Sequence, residues 1–162
     1  MENIAYSVSQ ILLQPVLIGI YLSFIYAVIE VGRMLALAWL RRQKHLGKKR
    51  QPGYPILNYF LEQERITLNE VEVYALKNLE TVRIVTRITP MLGLIATLIP
   101  MGPALVALEE NNTYAMGRFL GEAFTAVTIS LAAASLTFWI ASVKKRWFAE
   151  ELVEIEKQLE DD

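Results

Sequence analysis

The chain has 162 residues, a formal net charge of −1, one His and no Cys, and 54% of its residues are hydrophobic. This composition argues against a nucleic-acid partner, excludes disulfides and thiolate chemistry, and leaves no His or Cys cluster for a metal ion. Charged residues are concentrated in 41–87 and 144–162 and are rare elsewhere, so apolar and charged segments alternate along the chain.

Three apolar runs are long enough to cross a bilayer, whose hydrocarbon core of about 30 Å requires about 20 helical residues. They are residues 11–29 (followed by the apolar 34–40), 88–108 and 119–143, and only Glu122 interrupts the third. One such run could be a buried helix of a soluble protein, but three in one short chain predict an all-α membrane protein with three transmembrane helices. The first run follows no basic segment and precedes no cleavage site, so we interpret it as a retained membrane helix.

Basic residues indicate the orientation, because Lys and Arg are enriched in cytoplasmic connections. They are dense from Arg41 to Arg50 and at 144–146, whereas the connection between the second and third runs has only Arg118. This asymmetry predicts that the N-terminus lies outside the cell and the C-terminus lies in the cytoplasm.

The sequence divides into four segments. Residues 1–40 are a transmembrane helix with a cytoplasmic extension, 41–87 a cytoplasmic linker and amphipathic helix, 88–143 a transmembrane hairpin, and 144–162 a cytoplasmic tail helix. Gly and Pro predict a turn or linker at 41–54, and helical spacing of apolar residues predicts one or two amphipathic helices over 55–87. Within that part, Thr67 and Asn69, which precede Glu70, are candidate markers of a helix start. The tail is expected to begin with a basic turn at 144–146.

Small residues mark the sides on which transmembrane helices approach protein. With a period of 3.6 residues, the third run has a small stripe that should face protein or a pore, beside a bulky stripe that should face lipid or a neighbouring helix. The small stripe is Gly121, Thr125, Thr128, Ala132 and Ser135, and the bulky stripe is Leu120, Phe124, Val127, Leu131 and Phe138. The second run has a similar small side, formed by Thr89, Gly93, Ala96, Thr97, Pro100, Ala104 and Ala107.

The few polar residues in the runs each have two interpretations. Glu122 either reaches the outer interface or caps a helix, or it is an ion-path carboxylate at the mouth of a pore. The hydroxyls of Thr97, Thr125 and Thr128 either bond their own backbone or line an ion path. Glu30 and Arg33 are three residues apart and could form an ion pair at the interface. Because no nucleophile–base pair, phosphate loop or metal-ligand spacing occurs, we expect neither an enzyme nor a cofactor.

Two segments resemble motifs of the MotA/TolQ/ExbB proton channel family. Residues 89–97 (TPMLGLIAT) resemble the family's motif Thr/Ala-Pro-x-x-Gly-Leu-Leu-Gly-Thr, and 121–131 (GEAFTAVTISL) resemble its last-helix motif Glu-Ala-Leu-x-Ala-Thr-Ala-x-Gly-Leu. The order of the motifs and the predicted topology also match the family. The cytoplasmic segment is much shorter than in the motor stators of the family, which argues against a flagellar role, so the chain resembles a short TolQ/ExbB-like member.

The resemblance implies a homopentameric ring in the cytoplasmic (inner) membrane, built around a dimer of an ExbD/TolR/MotB-like partner whose single membrane helix carries an Asp. Thr97 matches the family's pore threonine, and Glu122 matches its last-helix glutamate. Val127 stands at the place of the last-helix threonine, so Thr125 or Thr128 could substitute. This and other departures from the family's motifs leave open whether the ion is a proton or sodium.

The function that this resemblance implies is an ion-motive-force-driven proton channel that couples proton flow to mechanical work through the partner. Two alternatives remain open at this point: a non-conducting oligomeric membrane scaffold, and half of a small secondary transporter. Only the channel predicts an ion flux that depends on the partner and on Thr97 and Glu122.

Overall fold

A computed structural model describes residues 2–42, 53–62 and 67–160, and the side chains of 11–42, 53–62 and 67–157. These residues form four helices: α1 (Glu2–Arg42), α2 (Pro55–Leu61), α3 (Leu68–Glu109) and α4 (Thr113–Glu160). No strand occurs in the described ranges, and the predicted all-α fold is confirmed. Most of the linker predicted at 41–54 lies in residues 43–52, outside the described residues.

Three of the helices are long and apolar enough to cross a membrane, as the sequence predicted. The candidate spans fall within Ile11–Arg42, Leu68–Glu109 and Thr113–Lys157, and their most apolar windows have mean hydropathies of 2.1, 2.0 and 1.8. Bulky apolar side chains such as Leu98 and Phe124 are exposed on these helices, which lipid tolerates and water does not. The chain is therefore a multi-pass membrane protein.

Polar side chains define the helix ends. Thr67 donates its backbone N–H to Glu70 Oε2 at 2.9 Å, which is one half of a capping box at the start of α3, and Glu70 donates its own N–H to the Thr67 carbonyl at 3.0 Å. The hydrogen bonds from the Thr67 backbone and hydroxyl lower the pKa of Glu70. After the C-terminal end of α3, Asn111 adopts a left-handed φ of 54°. At the start of α4, Asn112 Oδ1 accepts a hydrogen bond from the N–H of Ala115 at 3.0 Å.

The described helices contribute to two compact units, and the first consists of residues 1–28 and 85–136. Its core joins Val16 and Ile20 of α1 to Ala96 of α3 and Ala126 of α4. The small side predicted for α3 is buried, with Thr97 only partly so. A Cβ at Gly93 would collide with the Ser130 side chain of α4, so glycine is what allows these two helices to approach closely.

The second unit consists of residues 29–84 and 137–162. Its core brings α2, the start of α3 and the end of α4 together, and the buried members are Ile56, Leu57, Val71, Ala75, Leu79, Phe148 and Ile155. The basic turn expected at 144–146 is wrong, because α4 continues through these residues without a break. No Gly or Pro interrupts this part of the sequence, and Lys144 lies inside the unit instead of projecting from a turn.

A buried polar cluster attaches α2 to the ends of α1 and α4. Glu151 accepts hydrogen bonds from the backbone N–H groups of Ile56 and Leu57, at 2.8 and 3.1 Å, and pairs with the Arg41 guanidinium. Burial raises the pKa of Glu151, although the bonds from Leu57, Arg41 and Ile56 act in the other direction. Arg41 also donates to the Gly53 carbonyl at 2.8 Å. The cluster thus satisfies the N-terminal donors of a helix too short to be stable alone.

Candidate ion-conducting face

Two separate sides of the α4 helix carry small residues. The side packed inside the first unit carries small residues, among them Ala123, Ala126 and Ser130. The small stripe predicted from the sequence lies elsewhere, and all of its members are exposed: Gly121, Thr125, Thr128, Ala132 and Ser135. This stripe, which we call the hydroxyl face, is left exposed by the described part of the chain and is available to another molecule.

Every hydroxyl group of the hydroxyl face is bonded to its own helix. Thr125 Oγ1 donates to the Gly121 carbonyl at 2.8 Å, Thr128 Oγ1 to the Phe124 carbonyl at 2.7 Å, and Ser135 Oγ to the Leu131 carbonyl at 2.8 Å. Because the hydroxyl protons point to the backbone, the oxygens present lone pairs to whatever lies opposite. The hydroxyl face therefore accepts hydrogen bonds in this arrangement.

The hydroxyl group of Thr97 is likewise bonded to its own helix, α3. Its Oγ1 donates to the Leu94 carbonyl at 2.8 Å, and the side chain is partly buried. Its oxygen is thus also an acceptor.

Glu122 forms an ion pair near the N-terminal end of the third apolar run. Arg118 Nε lies 3.2 Å from Glu122 Oε1, and both side chains are largely exposed. The two residues are one helical turn apart, which is a favourable spacing for a pair on one helix. The cation compensates the charge of a carboxylate that would otherwise be costly to place at the edge of the hydrocarbon.

A recess of about 320 Å³ brings two of the predicted residues together. Glu122 and Thr125 line it on α4, beside Gly121 and Ala126, and Ala96 and Pro100 line it on α3. Neither Thr97 nor Thr128 is among the residues that line it.

The contribution of α1 to this recess was not predicted. Leu13, Leu17 and Tyr21 line it, and they follow one another at intervals of four residues. That interval places them on one side of α1. The sequence therefore indicates that they share a face, but it does not indicate which residues that face contacts.

The second unit contains the ion pair suggested between Glu30 and Arg33. Arg33 Nη1 lies 3.0 Å from Glu30 Oε1, and Lys144 Nζ lies 2.5 Å from Glu30 Oε2. The sequence does not predict the contact of Lys144, because this residue belongs to a different helix and its charge follows directly on an apolar run, where basic residues usually mark a membrane boundary.

These features define a helical membrane protein with a hydroxyl-bearing face that its own fold leaves uncovered. The model of one protein family, the MotA/TolQ/ExbB proton channel family, matches residues 57–157, which include Thr97, Glu122 and the hydroxyl face. The chain belongs to the MotA/TolQ/ExbB proton channel family, as its two motifs predicted. No curated protein and no solved structure gives a significant match. Membership of this family implies a proton channel function.

Proposed function

We propose that the chain is the ring-forming subunit of a TolQ/ExbB-like proton channel in the inner cell membrane. Five copies surround two copies of a partner with a single membrane helix, and proton flow through the complex performs mechanical work. The observation that carries the proposal is that all five residues of the hydroxyl face of α4 are exposed on the folded chain.

The contrast between α3 and α4 supports an assembly of several copies. Both helices carry a stripe of small residues, but the α3 stripe is buried within the chain and the α4 stripe is exposed. Small residues let helix backbones approach closely, so the uncovered α4 stripe suits contact with other helices of the complex. In a closed ring, each copy would turn this stripe toward a common axis.

The chain needs a partner because its apolar runs contain no Asp that could serve as the proton carrier. Its only Asp residues are Asp161 and Asp162, at the end of the tail. A carboxyl group on a partner helix could take up a proton, cross the apolar layer as a neutral acid, and release the proton on the cytoplasmic side. One elementary charge that crosses 100 mV supplies about 2.3 kcal/mol, so a few protons can drive a mechanical step.

The direction of the threonine hydrogen bonds determines which form of this carrier the hydroxyl face binds. A protonated carboxyl group is a donor, and the oxygens of Thr125 and Thr128 are acceptors, so the loaded carrier complements the face. An ionised carboxylate accepts only, so it can be held after a hydroxyl turns away from its own carbonyl. Loading and release thus correspond to two hydroxyl orientations, and Glu122 stands at the outer end where loading would begin.

Proton flux into proteoliposomes tests this function. The complex of chain and partner should acidify the lumen when a potential is applied, and the chain alone should give little flux. If a correctly assembled complex conducts no protons under any applied potential, the channel is refuted and the non-conducting scaffold is favoured. Flux of another solute without the partner would favour the transporter.

A further inference from the structure

One carboxylate of the second unit is shared by two cations. Glu30 Oε1 accepts a hydrogen bond from Arg33 Nη1 at 3.0 Å, and Glu30 Oε2 accepts one from Lys144 Nζ at 2.5 Å. Among the described residues, neither cation has another acidic partner within 4.0 Å. The group therefore carries one positive charge that no acidic side chain of this part of the chain balances.

The unbalanced charge resides at the surface. The side chains of Glu30 and Lys144 are only 4% and 9% exposed, whereas that of Arg33 is 68% exposed. A guanidinium has five N–H donors, and the contact with Glu30 occupies one of its nitrogens. Lys144 holds the buried Glu30 carboxylate in place, and this carboxylate orients the Arg33 guanidinium. The remaining donors of Arg33 are therefore oriented before any ligand binds.

Arg33 lies where α1 leaves the hydrocarbon layer. The uncharged run at 11–29 measures about 29 Å along a helix, which matches the thickness of the hydrocarbon core. Ile29 and Trp39, on either side of Arg33 along α1, are both largely exposed, and Trp is enriched at the membrane interface. The level of Arg33 is thus the level at which lipid headgroups begin.

We propose that Arg33 binds the phosphate of an anionic phospholipid, with Glu30 and Lys144 orienting the guanidinium. Arginine suits this ligand because its planar fork binds phosphate oxygens in pairs. A zwitterionic lipid neutralises its own phosphate with an ammonium group, whereas an anionic lipid offers the negative charge that this group lacks. The exposed apolar side chains around Arg33 favour a lipid over an acidic side chain of a neighbouring protein.

Lipid binding to the delipidated complex provides the test. Native mass spectrometry in detergent would titrate a phosphatidylglycerol and a phosphatidylcholine with the same acyl chains. The variants are Arg33→Gln and a matched control, Arg146→Gln, whose side chain is 71% exposed and pairs one turn away with Glu150 at 3.8 Å. Because Arg33 is exposed, its substitution should leave the fold intact, and an unchanged melting temperature would verify this.

We expect phosphatidylglycerol to bind about tenfold more tightly than phosphatidylcholine, and Arg33→Gln to remove most of this preference. Arg146→Gln should keep it. Equal affinities for the two lipids, or the same loss of preference in both variants, would show that Arg33 is not a specific site for an anionic lipid and would overturn the proposal. Dissociation of the oligomer by Arg33→Gln with unchanged lipid binding would also overturn it, in favour of a protein contact.

Discussion

Lys144 Nζ lies 2.5 Å from Glu30 Oε2, and this ion pair joins α4 to α1 with both side chains buried. Removing two charges from water is expensive, and the cost is recovered only when each charge keeps its partner. Arg33 occupies the second oxygen of the same carboxylate, so Glu30 is satisfied on both sides. The pair therefore fixes the position of α1 along α4 at this level. If one residue is removed, the other becomes a buried charge that has lost its buried partner.

Removing one member of this pair should destabilise the protein more than removing both. We expect Lys144→Met to cost about 3–5 kcal/mol, because it leaves the buried Glu30 with only the exposed Arg33, and Glu30→Leu to have a similar effect. The double variant should recover a large part of the loss. Thermal unfolding of the four proteins in detergent, followed by circular dichroism, measures the coupling. Strictly additive losses would contradict an energetic link between the two residues.

The close approach of α3 and α4 at Gly93 gives a second prediction. Gly93→Ala should destabilise the chain by about 1–3 kcal/mol, because the new Cβ would collide with the Ser130 side chain. Gly102→Ala is the control on the same helix, since a Cβ there has no neighbour within 4 Å. That variant should be neutral or slightly stabilising because Ala favours a helix. Equal melting temperatures for Gly93→Ala and Gly102→Ala would show that the helices are not tightly packed at Gly93.

The sequence predicts well what depends on local periodicity. The three apolar runs follow from composition and length, and the helix start near Thr67 follows from residue types that favour a helix N-terminus. The buried small side of α3 follows from residue spacing, because a helix places every third or fourth residue on one side. The partner of a buried charge depends on tertiary packing instead. Neither the contact of Lys144 with Glu30 nor that of Glu151 with α2 could be predicted, since each joins residues about a hundred positions apart.

The same limit applies to the candidate site. The sequence identifies the hydroxyl face and the motif residues, but it does not determine the direction in which each hydroxyl points. It also gave no reason to place Leu13, Leu17 and Tyr21 beside Glu122, because the side of α1 that meets the other helices depends on packing.

Thr97→Val tests the role of the α3 hydroxyl. Valine keeps the shape of threonine and removes only the oxygen, so assembly should be unchanged while proton flux falls about tenfold through the loss of one hydrogen bond. Thr81→Val is the control, since Thr81 is an exposed threonine of α3 outside the apolar run. Flux in proteoliposomes reports the difference. Equal rates for both variants and the unmodified complex would exclude Thr97 from the path.

The carboxylate of Glu122 should keep the outer mouth accessible to protons. Glu122→Ala should lower the flux by at least about tenfold, because it leaves the Arg118 cation without its partner, and an unbalanced positive charge at a channel mouth lowers the local concentration of cations. Glu110→Gln removes a negative charge from the exposed connection between α3 and α4, and should have little effect. The comparison is best made at low and high salt, since screening reduces attraction of this kind. A similar loss in both variants would assign the effect to general surface charge.

Native mass spectrometry of the complex released from membranes tests most directly whether several copies of α4 enclose a common axis. The family leads us to expect five copies of this chain, bound to two copies of a partner with one membrane helix, and the exposed hydroxyl face would line their axis. A chain that stays monomeric or dimeric in mild detergent, with and without the partner, would leave Thr125 and Thr128 facing lipid and would contradict the proposed ring.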